Sequence, residues 1–286
     1  MEASLVEASP AGLAKTSRLR GRLQQLESVL VAFSGGADSA FLLAAACRAL
    51  GGHHVVAATA VSPSLPAAEL AAAREFAARL GVRHVQPRTE ELSRPGYRAN
   101  GADRCFHCKS ELLDVLVPLA RRYGVAHVVT GTNADDLTDG FRPGIRAAAQ
   151  RGAVTPLADV GMTKSEVRAA ARRWGLAIWD KPAAACLSSR IAYGVEVTAS
   201  RLGRVDAAEA ALRAALTEDG IPVRNLRVRD LGRVARVEVD AELVPTLAER
   251  VDLLGCIQGF ATVELDRRGF RSGAMNEALV SPRRYR

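Results

Sequence analysis

The chain has 286 residues, 48% apolar, 5% aromatic and 24% charged, a balance that supports a buried core and excludes wholesale disorder. Thirty-nine Lys and Arg against 31 Asp and Glu leave a formal charge of +8. With few aromatic platforms for bases, this excess fits an anionic small molecule better than a nucleic acid, which is not an expected partner.

No apolar run reaches the ~18 residues of a membrane span, so no membrane partner is expected. Met1–Lys15 lacks a basic-then-apolar leader pattern, and the expected location is the cytoplasm. Residues 1–20 read as a tail, ordered in part. Val29 to Phe33 reads as a buried strand, followed by a helix from about Ala40 to Leu50 and a strand from His54 to Ala60. A helix from Pro66 to Leu80 stops at Gly81, which suits a C-cap. Strand Val82–Gln86, helix Phe106–Tyr123 and strand Val125–Thr130 continue the alternation. Thr163 to Trp174 is helical, with Thr163 and Glu166 spaced as a capping box. Strands alternating with helices predict an α/β fold with a doubly wound, mainly parallel sheet over residues 21–195.

Beyond Gly194 the pattern changes. Helix Thr198–Leu216, strands Asn225–Arg229 and Val234–Val239, helix Ala241–Leu254 and strand Phe260–Leu265 predict a smaller α+β unit over residues 196–286.

Five cysteines are an odd number in a chain of this size and do not read as a disulfide framework. Cys47 and Cys256 sit in apolar surroundings and read as small buried hydrophobes. Cys105 and Cys108 form a C-x-x-C at a predicted helix start, beside Arg104 and Lys109, which favour thiolates. By itself the pair fits a redox couple, a zinc half-site or a cluster half-site, and no second C-x-x-C completes a four-cysteine zinc site. Cys186 lies in a run of small residues between Lys181 and Arg190, a setting for an exposed thiolate beside an anion.

Ser34-Gly35-Gly36-Ala37-Asp38-Ser39 stands between the first strand and its helix. Glycines let the backbone approach an anion, the helix N-terminus presents free N–H groups, the Ser34 and Ser39 hydroxyls add donors, and Asp38 suits Mg2+. It is neither a Walker loop nor a dinucleotide fingerprint. It resembles the PP-loop of N-type ATP pyrophosphatases, the adenine nucleotide alpha hydrolase-like fold. That resemblance implies ATP as substrate and an adenylate as intermediate.

Four blocks together, SGGADS, RCFHCKSELL, GTNADDL with FRPG, and WDKPAAACLSSRIAYG, resemble the LarE family of ATP-dependent sulfur transferases. These build the nickel-pincer cofactor of lactate racemase, and the resemblance covers nearly the whole chain from about Leu26. It implies a small nucleotide substrate, pyridinium-3,5-biscarboxylic acid mononucleotide, and a homo-oligomer. It also implies that Gly131, Thr132 and Asp135 join Ser34, Gly35, Gly36, Asp38 and Ser39 in binding ATP. Arg190, Arg227, Arg229 and Glu238 would line the substrate site, and Asp38 and Cys186 would be catalytic.

Two routes for sulfur follow from the resemblance. Cys186 attacks the adenylate and gives up its own sulfur, leaving dehydroalanine. Alternatively Cys105, Cys108 and Cys186 hold a 4Fe–4S cluster with one open iron, and this is the preferred expectation because the C-x-x-C otherwise has no assigned work. The rivals are a cluster-using tRNA thiolase and an ammonia-using synthetase of the same superfamily.

Overall fold

The computed structural model describes residues 10–138, 143–182, 185–271 and 273–275. Phe141 and Arg142 of the FRPG block and Ala183-Ala184 of the cysteine block lie outside the described residues.

Four strands, β1 (Val29–Ala32), β2 (Val55–Ala58), β3 (Arg83–Val85) and β4 (His127–Thr130), form a wholly parallel sheet ordered β3-β2-β1-β4. Around it stand α1 (Pro10–Gln24), α2 (Ala37–Leu50), α3 (Ala67–Arg79), α4 (Pro95–Arg98), α5 (Arg104–Arg122) and α6 (Ala134–Thr138). They are followed by α7 (Pro143–Gln150), α8 (Pro156–Asp159) and α9 (Lys164–Arg173). The period-two pleat sends Val29 and Val31 into a core shared with α1, α2, α3 and α9, and Leu30 into a second core with α5 and α7. Both faces are therefore covered, as a parallel sheet requires.

The crossovers place the site. Helices α2 and α3 carry the chain outward from β1 through β2 to β3 on one face, and α5 returns it on the other face to β4. The connections thus part company between β1 and β4, and the crevice beyond their carboxyl ends is where open α/β sheets bind ligands.

Part of the expected tail is helix α1. Leu19, Leu23 and Leu26 recur at helical spacing and are all buried, each contributing about 1.5–3 kcal/mol over an exposed leucine. Lys15 fastens the helix to the core, its Nζ donating to Gly161 O and Glu166 Oε2, both at 2.7 Å. The Thr163–Glu166 capping box at the start of α9 forms in both directions.

A second sheet, β5 (Leu226–Asp230), β6 (Val234–Val239) and β7 (Thr262–Leu265), pairs antiparallel between β5 and β6 and parallel between β6 and β7. Helix α10 (Ala199–Glu218) packs on it. The single helix expected over 241–254 is broken into a 3-10 turn (Ala241–Leu243), α11 (Val244–Glu249) and α12 (Val251–Leu254). Arg250 leaves helical geometry at φ −102°, ψ 58°, where its guanidinium bonds Asp219 at 2.6 Å and Asp252 at 2.8 Å. Tyr97, Leu187, Ile191, Val197, Leu202 and Val205 form a separate apolar cluster that joins the two sheets. Among the described residues, no helix is long and apolar enough to cross a membrane.

Candidate active site

The loop after β1 is held by its own side chains. Ser34 and Ser39 share a hydroxyl–hydroxyl bond of 3.1 Å, the Ser34 N–H donates to Ser39 Oγ at 3.3 Å, and Ser39 Oγ donates to Gly36 O at 3.1 Å. Gly35 sits at φ +76°, the left-handed region that favours glycine. Its carbonyl accepts from Lys181 Nζ at 3.1 Å, and that ammonium also pairs with Glu69 at 2.6 Å. No side chain caps the N-terminus of α2, so its amides remain available to an anion.

β4 brings the second loop against the first. A Cβ on Gly131 would stand 2.8 Å from Ser39 N, so only glycine lets the backbones cross. Asn133 and Asp136 cap each other around the start of α6, with the Asn133 N–H donating to Asp136 at 3.2 Å and the Asp136 N–H donating to Asn133 at 3.1 Å. Asp38 is the strained group. Its Oδ1 is buried without a hydrogen-bond partner. Burial raises its pKa, Lys164 and Arg168 oppose that rise, and Asp136 adds to it. A half-buried carboxylate with one oxygen unpartnered and a second acid nearby fits Mg2+, a hard cation that takes one or two carboxylates and completes its shell with phosphate oxygens.

Two cavities meet here. The first, about 390 Å³, is lined by Ser34, Gly36, Asp38, Ser39, Cys108 and Cys186, among others. The second, about 430 Å³, is lined by Arg104, Cys105, Tyr193, Arg227, Arg229 and Phe270, among others. Lys109, Thr132, Asp136 and Ala185 line both. The Lys109 ammonium makes no hydrogen bond or ion pair among the described residues. Burial lowers its pKa, against the pull of Cys108, Cys105 and Asp136.

The three thiols surround this junction, with Cys108 and Cys186 on the first cavity and Cys105 on the second. Burial pushes the Cys108 thiol up, and negative charge on Cys186, Glu91 and Cys105 pushes it further. At Cys108 the flanking cations do not win, contrary to the expectation of an easily ionised thiol there. A cation shared by the thiols would relieve the repulsion. Among the described residues, no three His, Cys, Asp or Glu side chains are arranged to hold a single metal ion. Cysteine sulfurs are nevertheless the donor type that iron–sulfur clusters take, and Cys105, Cys108 and Cys186 supply three of them on two adjoining cavities.

The cysteine loop is not a plain linker. Leu187 N–H donates to Ser64 O at 2.9 Å, Ile191 bridges Asp230, and Tyr97 and Ser188 share a hydroxyl bond of 2.5 Å. Asn100, at φ +53°, reaches into it from the other side. Its Nδ2 donates to the carbonyls of Ala192 and Val195, both at 2.8 Å, and to Ile191 at 3.3 Å.

The remaining expected residues fall as follows. Arg227 and Arg229 line the second cavity. Arg229 donates to Glu238 at 2.7 Å and to Ser189 O at 3.1 Å, while its buried Nε lacks a partner. Glu238 reaches the site through that pair. Burial, then Arg190, brings the Arg227 pKa down to about 10. Arg190 spends its donors on Glu209, on the carbonyls of Ala185 and Cys186, and on Ser189 Oγ, so it shapes the Cys186 loop. Asp135 is exposed and accepts from Lys164 N–H at 2.8 Å; its neighbour Asp136 is the acid at the junction. Cys47 and Cys256 pack against the two cores, and burial pushes Cys47 up to about 11.

Lys164, Arg168 and Asp136, the charges around Asp38, carry no motif that marks them in the sequence. Lys164 and Arg168 lie one turn apart at the start of α9, the helix that the capping box announced.

No family model matches the chain. The chain is 35% identical over 269 residues to the pyridinium-3,5-bisthiocarboxylic acid mononucleotide synthase of Lactiplantibacillus plantarum, covering 93% of this chain and 95% of that one. The protein belongs to the LarE family. An uncharacterized protein of Synechocystis is 42% identical over 271 residues, covering 93% and 98% of the two chains. A more distant likeness, 27% over 175 residues, is to an uncharacterized protein of Methanocaldococcus jannaschii. As in the sequence reading, LarE membership extends over both sheets, because 93% coverage takes in the first cavity and the arginines of β5.

Proposed function

We propose that this LarE-family chain is an ATP-dependent sulfurtransferase with a PP-loop fold. Its reading as a nucleotide enzyme rests on the two cavities that share Lys109, Thr132, Asp136 and Ala185 with thiols on both sides. The substrate is pyridinium-3,5-biscarboxylic acid mononucleotide, the dicarboxylate counterpart of the product named for the Lactiplantibacillus relative.

A carboxylate is a poor acyl donor until its oxygen becomes a good leaving group. ATP occupies the first cavity with its phosphates on the Ser34–Ser39 loop and the α2 N-terminus. Asp38 and Asp136 would hold Mg2+, which neutralises phosphate charge as pyrophosphate departs. The mononucleotide occupies the second cavity, its phosphate on Arg227 and Arg229 and its reacting carboxylate at Lys109. One carboxylate oxygen bonds the α-phosphorus as the bond to pyrophosphate breaks. Lys109 stands where both anions meet and offsets their repulsion.

Sulfur then displaces AMP from the acyl carbon. Cys105, Cys108 and Cys186 would hold the 4Fe–4S cluster, which supplies an open iron able to carry an extra sulfide. Arg190, Asn100 and Tyr97 keep the Cys186 loop facing the junction throughout. The alternative within the same function is attack by Cys186 itself. Its Sγ forms a thioester as AMP leaves, then loss of the Cα proton breaks the Cβ–S bond and leaves dehydroalanine. The sequential form of two cycles gives the bisthiocarboxylate.

The deciding experiment is an intact mass after anaerobic incubation with ATP, Mg2+ and the dicarboxylate mononucleotide, once thiolated product is detected. An unchanged chain mass supports the cluster, and loss of one hydrogen sulfide identifies Cys186 as the donor. Absence of both pyrophosphate and thiolated product overturns the function.

A further inference from the structure

The second cavity contains a buried guanidinium whose recognition edge is unused. Arg104 is 5% exposed and lines that cavity. Its Nη1 is anchored, donating to Asn100 Oδ1 at 2.5 Å and to Ser188 O at 2.9 Å. Its Nε and Nη2 make no hydrogen bond or ion pair among the described residues, and neither is sealed from the cavity. The Tyr193 ring lies 5.5 Å from the guanidinium carbon and lines the same space. Burial opposes the charge, but the Cys186 and Cys105 sulfurs and the Tyr193 phenol outweigh it and hold the pKa above its ordinary value.

A guanidinium held at Nη1 leaves Nε–H and Nη2–H as two parallel donors. Their spacing matches the two oxygens of a carboxylate. Such an edge beside an aromatic ring suits an anion carried on a flat ring. Lys109 and Arg104 stand five residues apart at the start of α5, and both line the second cavity. A ring with carboxylates at positions 3 and 5 has a second acid that the adenylation step does not consume. That acid needs its own partner, because an unpaired carboxylate in a partly enclosed cavity is costly.

We propose that Arg104 binds the non-reacting ring carboxylate, with Tyr193 against the ring, and so makes the enzyme select a dicarboxylate over a monocarboxylate. The assignment rests on the proposed function and adds a specificity-determining residue to it. It also accounts for two rounds on one substrate. After the first thiolation the ring turns about the axis through its nitrogen and C4, exchanging positions 3 and 5. The new thiocarboxylate, still an anion, then takes the Arg104 edge while the remaining carboxylate meets Lys109.

The test is initial-rate pyrophosphate release with two ligands, the 3,5-dicarboxylate mononucleotide and its analogue with one carboxylate replaced by carboxamide. Wild type should favour the dicarboxylate by about 10- to 100-fold in kcat/KM, the range for a hydrogen-bonded charge. Arg104→Gln should shrink that ratio to within about 3-fold, the loss falling on KM for the dicarboxylate with the KM for ATP unchanged. Arg104→Lys keeps the charge without the fork and should fall between. It also decides the matter by the same ratio if a thermal melt shows Arg104→Gln unfolded.

Equal use of both ligands by wild type overturns the proposal. So does an equal loss on both ligands in the variants, or a loss confined to sulfur transfer with discrimination intact, which would assign Arg104 to the thiols alone. Wild type that releases no pyrophosphate with either ligand fails at the proposed function, and the subsite falls with it.

Discussion

Arg190 meets Glu209 through two parallel hydrogen bonds, Nε to Oε1 at 2.9 Å and Nη2 to Oε2 at 3.1 Å. The opposite corner of the same guanidinium holds the carbonyls of Ala185 at 2.5 Å and Cys186 at 3.1 Å. A helix of the second sheet thereby sets the backbone of the Cys186 loop. Removing the arginine strands the Glu209 carboxylate, with its side chain 15% exposed, and breaking such a pair costs about 3–5 kcal/mol. Arg190→Ala should lose about that much in urea unfolding and lose thiolated product as well. Unchanged stability would contradict the pairing.

Asp38 gives a pH-dependent prediction. Burial holds its carboxyl above the ordinary 3.8, so the folded chain binds that proton more tightly than the unfolded chain. Its contribution to stability is fully present below 3.8 and is lost as pH rises through the folded value. Asp38→Asn should therefore unfold at higher urea than wild type at pH 7, with the advantage vanishing in acid. Mg2+ with ATP should raise the urea midpoint of wild type and raise that of this variant less. An Asn variant less stable than wild type at pH 7 would refute the buried charge.

Lys109 tests the junction between the cavities. Lys109→Met removes the cation but keeps the stem, and pyrophosphate formation should slow by about 100- to 1,000-fold, the scale for one lost electrostatic stabiliser of a transition state. ATP binding measured by calorimetry should change little. A variant of normal rate would move the chemistry elsewhere.

The cysteines separate the two sulfur routes by substitution as well as by mass. Cys186→Ala should abolish thiolated product on either route and leave adenylate formation measurable by pyrophosphate exchange. Cys108→Ser discriminates: with a cluster it loses product and iron together, whereas with a sacrificed Cys186 it retains one turnover.

Arg229 owes its orientation to Glu238, a pair 2.7 Å apart and largely out of solvent. Glu238→Gln keeps the acceptor and should leave mononucleotide affinity near wild type. Glu238→Ala frees the guanidinium and should weaken it by about tenfold, as for one charge-assisted hydrogen bond. Equal affinities across the three proteins would remove Arg229 from the phosphate site.

Much of the fold was legible because its signals are local. Val29–Ala32 and Val55–Ala58 are unbroken apolar runs, and the Thr163–Glu166 box marks a helix start from side-chain chemistry alone. Helix α1 carries little local signal because its buried face is two leucines, Leu19 and Leu23, among basic and polar residues, with Leu26 just past its end. Its stability comes from packing and from Lys15, which finds Glu166 151 residues away. The break at Arg250 is likewise unmarked locally, and Asp219, one of the two acids its guanidinium bonds there, is remote in sequence.

Site residues divided along the same line. Ser34, Asp38, Gly131 and the cysteines stand in recognisable blocks. Whether Asp135 or Asp136 faces the cavity is a question of helix phase that adjacent identical letters do not answer. Arg190 reads as an anion binder in the sequence because its countercharge, Glu209, lies on another helix.

Asn100 gives the three sulfurs a common history. By binding the 191–195 segment with its amide and Arg104 with its carbonyl oxygen, it welds the helix that starts beside Cys105 to the loop that follows Cys186. The separation of the thiols is thus inherited from a polar rivet, and not negotiated with whatever they come to hold. The thiols' spacing is then a property of the folded chain itself.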